Sequence, residues 1–133
     1  MRAVISFWFT FSLSVYGAAW VYGNAWVYGD ADVYDNARVS GAAWVYGNAW
    51  VYGNADVYDN ARVYDDARVY DDAMVFGDVW VYGSARVYGD AQVYGKARVF
   101  SDAWVSDDTE VYGDAKVFGN SWVSDDEEKG NSK

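Results

Sequence analysis

Adjacent aspartates are the residues of this chain whose type and spacing best suit chemistry. Pairs stand at Asp65–Asp66, Asp71–Asp72 and Asp107–Asp108, and two neighbouring carboxyl groups can divide the roles of general acid and general base. That division needs an environment that desolvates one of them and shifts its pKa. Each pair occupies the two corner positions of a short repeat, where exposure is expected. We therefore interpret the pairs as solvated corner residues and not as a catalytic set.

The composition excludes several other chemistries. The chain contains no histidine and no cysteine, so it offers no imidazole base, no thiolate nucleophile and neither of the two side chains that most often bind zinc. Its seventeen aspartates are plentiful oxygen ligands for calcium. However, the calcium-binding nonapeptide signature Gly-Gly-x-Gly-x-Asp does not occur. We expect no enzymatic activity, no cofactor and no metal.

Length and charge narrow the class of partner. The chain has 133 residues and a formal net charge of −10, which fits one domain. A strongly negative protein gains nothing from contact with phosphates, so nucleic acids and anionic membrane surfaces are disfavoured. No stretch approaches the roughly 20 apolar residues needed to span a bilayer.

A six-residue repeat organises the chain. Valine stands at every sixth position from Val15 to Val123, with Tyr or Phe after nearly every one. From Val21 onward a small residue, usually Ala, lies two positions before the valine; the exceptions to Ala are Val79, Thr109 and Ser121. Gly or Asp and then Asn or Asp complete the unit. The consensus is Ala-x-Val-Tyr-Gly-Asn/Asp.

Each unit predicts a short strand followed by a corner. Ala-x-Val alternates in, out and in, because side chains on a strand point to opposite faces. Gly, Asn and Asp tolerate the backbone conformations that corners require. One unit is too short to bury an apolar face, whereas stacked units share a continuous interior. The pattern therefore predicts an all-β, single-stranded parallel β-solenoid with a Val/Ala core.

The motif Val-Tyr-Gly-Asn-Ala-Trp resembles the bacterial hexapeptide-repeat family, in which an aliphatic residue is followed four places later by a small one. The resemblance covers residues 15–123 and implies a left-handed parallel β-helix of about six coils, each with three hexapeptides. Family members include acyltransferases and γ-class carbonic anhydrases, whose chemistry depends on histidine. This chain has none, and its register is not interrupted by the loops that wall an active site. Many family enzymes form trimers, so a trimer and end-to-end stacking are the self-associations that we consider.

Three hexapeptides per coil place every eighteenth residue in one outward column. A candidate binding column contains tryptophans and cations but no acidic residue. Flat rings could stack on sugars, whereas neighbouring rings could also simply pack on each other and on arginine. A long exposed apolar face could equally be a subunit contact. The column contains Trp8, Trp26, Trp44, Arg62, Trp80 and Arg98, and continues to Lys116.

The two ends differ from the repeat. Residues 1–14 place apolar side chains at odd positions, which predicts a capping strand; a secretory signal peptide is the alternative. Residues 124–133 are polar and initially acidic, which predicts a disordered tail.

An internal duplication also bears on function. Residues 16–39 and 40–63 differ at only two positions, and the shift of 24 residues moves each side chain to another face. A finely built site would not survive such a change. We therefore expect a non-catalytic structural or interaction scaffold. The first alternative is a carbohydrate-binding surface on the aromatic columns, and the second is an acyltransferase-like family member without catalytic chemistry.

Overall fold

The computed structural model describes residues 15–124 and the two-residue strand 128–129. Every named element in these residues is a two-residue strand that recurs every six residues. In chain order the strands are β1 (Trp20–Val21), β2 (Trp26–Val27), β3 (Asp32–Val33), β4 (Arg38–Val39), β5 (Trp44–Val45), β6 (Trp50–Val51), β7 (Asp56–Val57), β8 (Arg62–Val63), β9 (Arg68–Val69), β10 (Met74–Val75), β11 (Trp80–Val81), β12 (Arg86–Val87), β13 (Gln92–Val93), β14 (Arg98–Val99), β15 (Trp104–Val105), β16 (Glu110–Val111), β17 (Lys116–Val117), β18 (Trp122–Val123) and β19 (Glu128–Lys129).

Strands three apart along the chain pair in parallel and form three sheets. Sheet 1 has the order β1-β4-β7-β10-β13-β16-β19. Sheet 2 contains β2, β5, β8, β11, β14 and β17, and sheet 3 contains β3, β6, β9, β12, β15 and β18. The register joins each residue to the one eighteen positions later, as in Trp26↔Trp44. The predicted all-β solenoid of about six coils with three hexapeptides each is confirmed.

The core consists of valine and alanine side chains from all three sheets. Both positions are buried from Val15 to Val117, including Val79, which occupies an alanine position. In the last described repeat Val123 is buried, whereas Ser121, at the alanine position, is exposed. Backbone N–H groups of the outward residue and of the aromatic residue donate to carbonyls of the next coil; for example, Trp26 N lies 2.9 Å from Ala43 O. Each hexapeptide thus obtains both its apolar burial and its hydrogen bonds from neighbouring coils, as solenoids require.

The corners turn at the first of the two corner residues. This residue has a positive φ in every described coil, whether it is glycine, as Gly53 with φ 73°, or aspartate, as Asp35 with φ 61°. The amide of the alanine that follows the corner closes the turn in many coils, as Ala25 N does on Tyr22 O at 3.4 Å. No two positive-φ residues that carry a Cβ are neighbours in a column within residues 15–124. The backbones of successive corners lie so close together that a Cβ on a corner glycine would press against the next corner, which explains why these residues have glycine as their neighbours in the column.

The predicted terminal segments are only partly covered. Residues 1–14, predicted as a capping strand or signal peptide, lie outside the described residues. β19 lies within the segment 124–133, which the sequence predicts to be an acidic tail; its two residues extend sheet 1 by pairing with β16.

Candidate functional site

The candidate binding column lies on the outer face of sheet 2. The register joins each of its described members directly to the next, so the side chains occupy adjacent strands without a gap. Trp8 belongs to the predicted column but lies outside the described residues. From β2 to β17 the column reads Trp26, Trp44, Arg62, Trp80, Arg98 and Lys116.

Guanidinium groups occupy the space between the indole rings of this column. The guanidinium carbon of Arg62 lies 5.1 Å from the Trp44 ring centroid and 5.4 Å from that of Trp80. Arg98 lies 4.7 Å from the Trp80 ring on the other side. A cation over an aromatic face gains about 0.5–1 kcal/mol at an exposed site. The middle of the column is therefore packed against itself, and Trp26, 45% exposed at the β2 end, presents the most open ring.

Tyrosine ladders run alongside the tryptophan columns. The rings of Tyr34 and Tyr52 are parallel within 1°, with centroids 4.9 Å apart, and Tyr70 continues the ladder at 4.9 Å. Trp50 meets Tyr34 and Tyr52 edge-on at 6.3 Å. Burial, together with the neighbouring Tyr52 and Tyr16 hydroxyls, raises the pKa of Tyr34 to about 12. The same causes, with Tyr46 and Tyr82 as the neighbours, raise the pKa of Tyr64 to about 12.

The corner aspartates serve as hydrogen-bond acceptors between coils. Asp65 Oδ2 accepts from Gly83 N at 3.2 Å, and Asp71 Oδ2 accepts from Gly89 N at 3.3 Å. The second members of these pairs are also engaged, since Asp66 Oδ1 accepts from Asn48 Nδ2 at 3.2 Å.

Asp72 accepts in the same way from Asn54 Nδ2 at 3.0 Å. Asp107 and Asp108 are exposed. Within residues 15–124, no group of three or more acidic side chains is arranged to hold a metal ion. The pairs Asp65–Asp66 and Asp71–Asp72 therefore act as links along the corners.

Two aspartates on strand positions have a perturbed pKa. Burial raises the pKa of Asp56, while Arg38, whose Nε lies 3.9 Å from Asp56 Oδ1, acts in the opposite direction. Burial and the nearby Asp30 raise the pKa of Asp32. These two carboxyl groups lie on different sheets, β7 on sheet 1 and β3 on sheet 3. They consequently do not form an acid/base pair.

An open groove at the end of sheet 3 was not predicted from the sequence. It has a volume of about 470 Å³ and is bounded on one side by two indoles and on the other by polar corner residues. The sequence did contain a signal. On the outward positions of sheet 3, the tryptophans Trp104 and Trp122 follow Arg86, and position 106 has serine in place of the usual tyrosine. The lining residues are Ser84, Arg86, Asp102, Trp104, Asn120, Ser121 and Trp122.

Three parallel sheets around a Val/Ala core, built from one repeated hexapeptide, define a repeat β-solenoid protein. A family model described as the YdcK Beta solenoid repeat matches residues 33–47, 55–69, 67–83 and 91–107. These segments amount to slightly less than half of the chain. The matches and the coil geometry together support a repeat β-helix family. This agrees with the fold that the resemblance of the motif implies.

The comparison with curated proteins gave no match, and the comparison with solved structures gave none either. In the described part of the chain, no helix is long and apolar enough to cross a membrane.

Proposed function

We propose that this chain is a non-catalytic β-solenoid scaffold whose outer faces serve structural or interaction roles. The observation that carries the proposal is the continuous order of the outward side chains. Aromatic rings stack on each other along the solenoid, as Tyr46 and Tyr64 do at 4.9 Å, and cations such as Arg62 pack between neighbouring rings. A surface of this kind is regular and pre-ordered, so contact with a partner costs little side-chain entropy.

Two observations support the absence of catalysis. The chain has no histidine, the group on which the enzymes of the resembling family depend. The connections between consecutive strands from β1 to β18 are four residues long, as in 22–25, so these corners provide no long loop to enclose a substrate. An acyltransferase-like relationship without the chemistry remains the third candidate. Assays with acetyl-coenzyme A and a range of amine and hydroxyl acceptors should show no turnover above buffer.

Self-association is the interaction that the scaffold role most directly implies. Trp20 and Trp26 are each 45% exposed on neighbouring faces of the first described coils. Large exposed apolar surfaces typically mark contacts with other molecules. A trimer would cover faces side by side, whereas end-to-end stacking would extend the sheets.

A glycan is the alternative partner for the sheet 2 column. The open Trp26 ring favours this alternative, because a planar aromatic face can pack against the C–H face of a sugar. Binding at the column requires that Trp26→Ala and Trp44→Ala abolish retention on a polysaccharide while the fold persists. The scaffold role instead predicts that these variants lose assembly or stability, and that neither the parent nor the variants are retained on a polysaccharide.

Sedimentation velocity of the full chain, alone and with a panel of soluble polysaccharides, tests the proposal. A defined oligomer or filament whose sedimentation is unchanged by the sugars is the expected result. A monomer that sediments faster with one polysaccharide would contradict the scaffold role for this surface and favour glycan binding.

A further inference from the structure

The groove at the end of sheet 3 is an open depression lined by aromatic and polar side chains. Its volume of about 470 Å³ falls within the range of small-molecule pockets, roughly 300–1,000 Å³. It crosses three consecutive strands, β12, β15 and β18, and the corners that precede them. The indole side chains of Trp104 and Trp122 form one wall, and corner residues form the other.

Trp122 is the exposed platform of this groove. Its side chain is 64% exposed, the largest exposure of any large apolar residue in the described chain. β18 is the last strand of sheet 3 in the part of the chain that the structure describes. An exposed indole without contacts would be free to rotate, so its contacts determine whether it presents a fixed surface to a ligand.

Two contacts fix the orientation of the Trp122 ring. Its Nε1 donates a 3.0 Å hydrogen bond to Ser106 Oγ, and Ser106 is buried. Its ring meets that of Trp104 edge-on, with centroids 6.1 Å apart and an interplanar angle of 64°. Ser106 stands where most repeats have a tyrosine, and this small hydroxyl residue allows the indole to lie over it. The ring is thus held in place before any ligand arrives, which lowers the cost of binding.

The polar wall complements the indoles. Asp102 supplies a carboxylate, Asn120 an amide, and Ser84 a hydroxyl, all on exposed corners of consecutive coils. Arg86 lies 4.9 Å over the Trp104 ring, so its guanidinium is already held within the groove. One cation and one carboxylate leave the lining without net charge, and the whole chain is negative at −10. An uncharged ligand with an apolar face and several hydroxyl groups matches this arrangement.

We propose that this groove binds a pyranose unit of a neutral oligosaccharide, with the sugar ring packed on Trp122. The corner carboxylate and amide take its hydroxyl groups, since planar side chains can accept from and donate to adjacent hydroxyls. This site goes beyond the scaffold role and lies on a different sheet from the candidate column of Trp26. It holds whether or not other faces of the solenoid mediate assembly.

Titration of the full chain with two neutral probes tests this proposal. The probes are the β-1,4-linked tetramers of glucose and of N-acetylglucosamine, followed by indole fluorescence and by saturation-transfer NMR. We expect at least one probe to bind with a Kd of about 0.1–2 mM, as befits a shallow and open site. Trp122→Ala should weaken binding about tenfold or more. Ser106→Ala should weaken it about threefold, because the indole loses its fixed orientation.

Trp50→Ala is the matched control. Trp50 lies on the outer face of the same sheet and is 37% exposed. Its ring lies 4.7 Å from the guanidinium of Arg68, but it does not line the groove. Its variant should bind the probe as the parent does, and circular dichroism should show that all three variants keep the solenoid.

Three results would overturn the proposal. One is the absence of saturable binding of either probe at about 20 mM, well above the expected Kd. Another is binding that survives Trp122→Ala or is lost equally in Trp50→Ala. The third is an oligomer that Trp122→Ala dissociates and that binds no sugar, since the groove would then be a subunit contact.

Discussion

Gly53 and Asp71 occupy the same corner in successive coils, and a Cβ built on Gly53 would lie only 2.8 Å from the backbone nitrogen of Asp71. Real Cβ atoms do not approach a backbone atom so closely, so the two coils could not keep their spacing. The backbone of Gly53 also has a φ of +73°, which disfavours a side chain independently. The distance between coils, as well as the local backbone conformation, therefore requires glycine at this corner.

Replacing Gly53 with alanine should destabilise the solenoid more than the same change at Gly119. Both residues have nearly the same φ, but a Cβ on Gly119 would have no atom within 4 Å. Gly119→Ala should cost only the conformational penalty, about 1–2 kcal/mol. Gly53→Ala should cost about 1–3 kcal/mol more, as overpacking does. Urea unfolding followed by circular dichroism measures both; equal losses would mean that contact between coils does not restrict this corner.

Deletion of residues 58–63 should leave a folded, shorter solenoid. Six residues are one hexapeptide, so every valine and alanine keeps its inward direction. The deletion would also stack Gly41, Gly47 and Gly53 on residues 65, 71 and 77, and hence no two corner residues with a Cβ would meet.

Deletion of residues 58–62 is the control for this experiment. Five residues reverse the alternation after the deletion and turn its core side chains outward. The six-residue variant should melt cooperatively at a modestly lower temperature, and the five-residue variant should be unfolded or aggregated. A cooperative unfolding transition in both variants would refute the rule that residues can be removed only as whole hexapeptides.

Alkaline pH should unfold the protein through its tyrosine ladders. Burial is the main cause that raises the pKa of Tyr34 and of Tyr64 to about 12, above the ordinary value of 10.0. The folded state therefore keeps protons that the unfolded state releases. The free energy of unfolding should have its full value below pH 10 and should fall as the pH rises from 10 towards 12.

Tyrosinate absorbance and circular dichroism, recorded together against pH, check the alkaline transition. Tyr64→Phe should move the unfolding midpoint to higher pH, because it keeps the stacked ring and removes one ionising hydroxyl. Tyrosines that titrate freely near pH 10 in a chain that stays folded would contradict the assignment.

Loss of the Arg62 guanidinium should loosen the sheet 2 column. Arg62 lies between Trp44 and Trp80, so Arg62→Ala removes two cation–π contacts and should cost about 1–2 kcal/mol. Arg62→Lys should cost less than alanine but should not restore the parent, since an ammonium lacks the planar stacking surface. Lys116→Ala, at an exposed site near the end of the column, should change stability by no more than about 0.5 kcal/mol. Thermal unfolding monitored by indole fluorescence compares the three.

The period of the sequence was enough to predict the short strands and the core, whereas the number of units per coil, and with it the sheets and columns, was implied by the resemblance to the hexapeptide-repeat family. With the three units per coil that the resemblance implies, every residue is paired with the one eighteen positions later, and Trp26↔Trp44 could then be derived by counting. Burial of Val79 in an alanine position followed from the same rule. These features depend on the backbone repeat and on the number of repeats in a coil.

Side-chain conformation could not be predicted in the same way. Counting placed Arg62 next to Trp44 and Trp80, but not its guanidinium over both rings. The corner residue that takes a positive φ proved to be the first of the two, although Asn and Asp at the second are equally tolerant types. The groove was missed because it depends on how Trp122 turns onto Ser106, sixteen residues away, which no short-range pattern contains.

The tyrosine ladders have an optical consequence. Rings of Tyr34, Tyr52 and Tyr70 are parallel within 3° and repeat every 4.9 Å, so the transition dipoles of neighbouring chromophores are aligned at short range. Such an array absorbs as a coupled set and not as separate phenols. Because neighbouring rings are nearly parallel, the coupling should appear as a shift in the near-ultraviolet absorption of the ladder and not as an exciton couplet in its circular dichroism. One interruption in the middle of the ladder should divide the coupled set into two shorter arrays and reduce that shift.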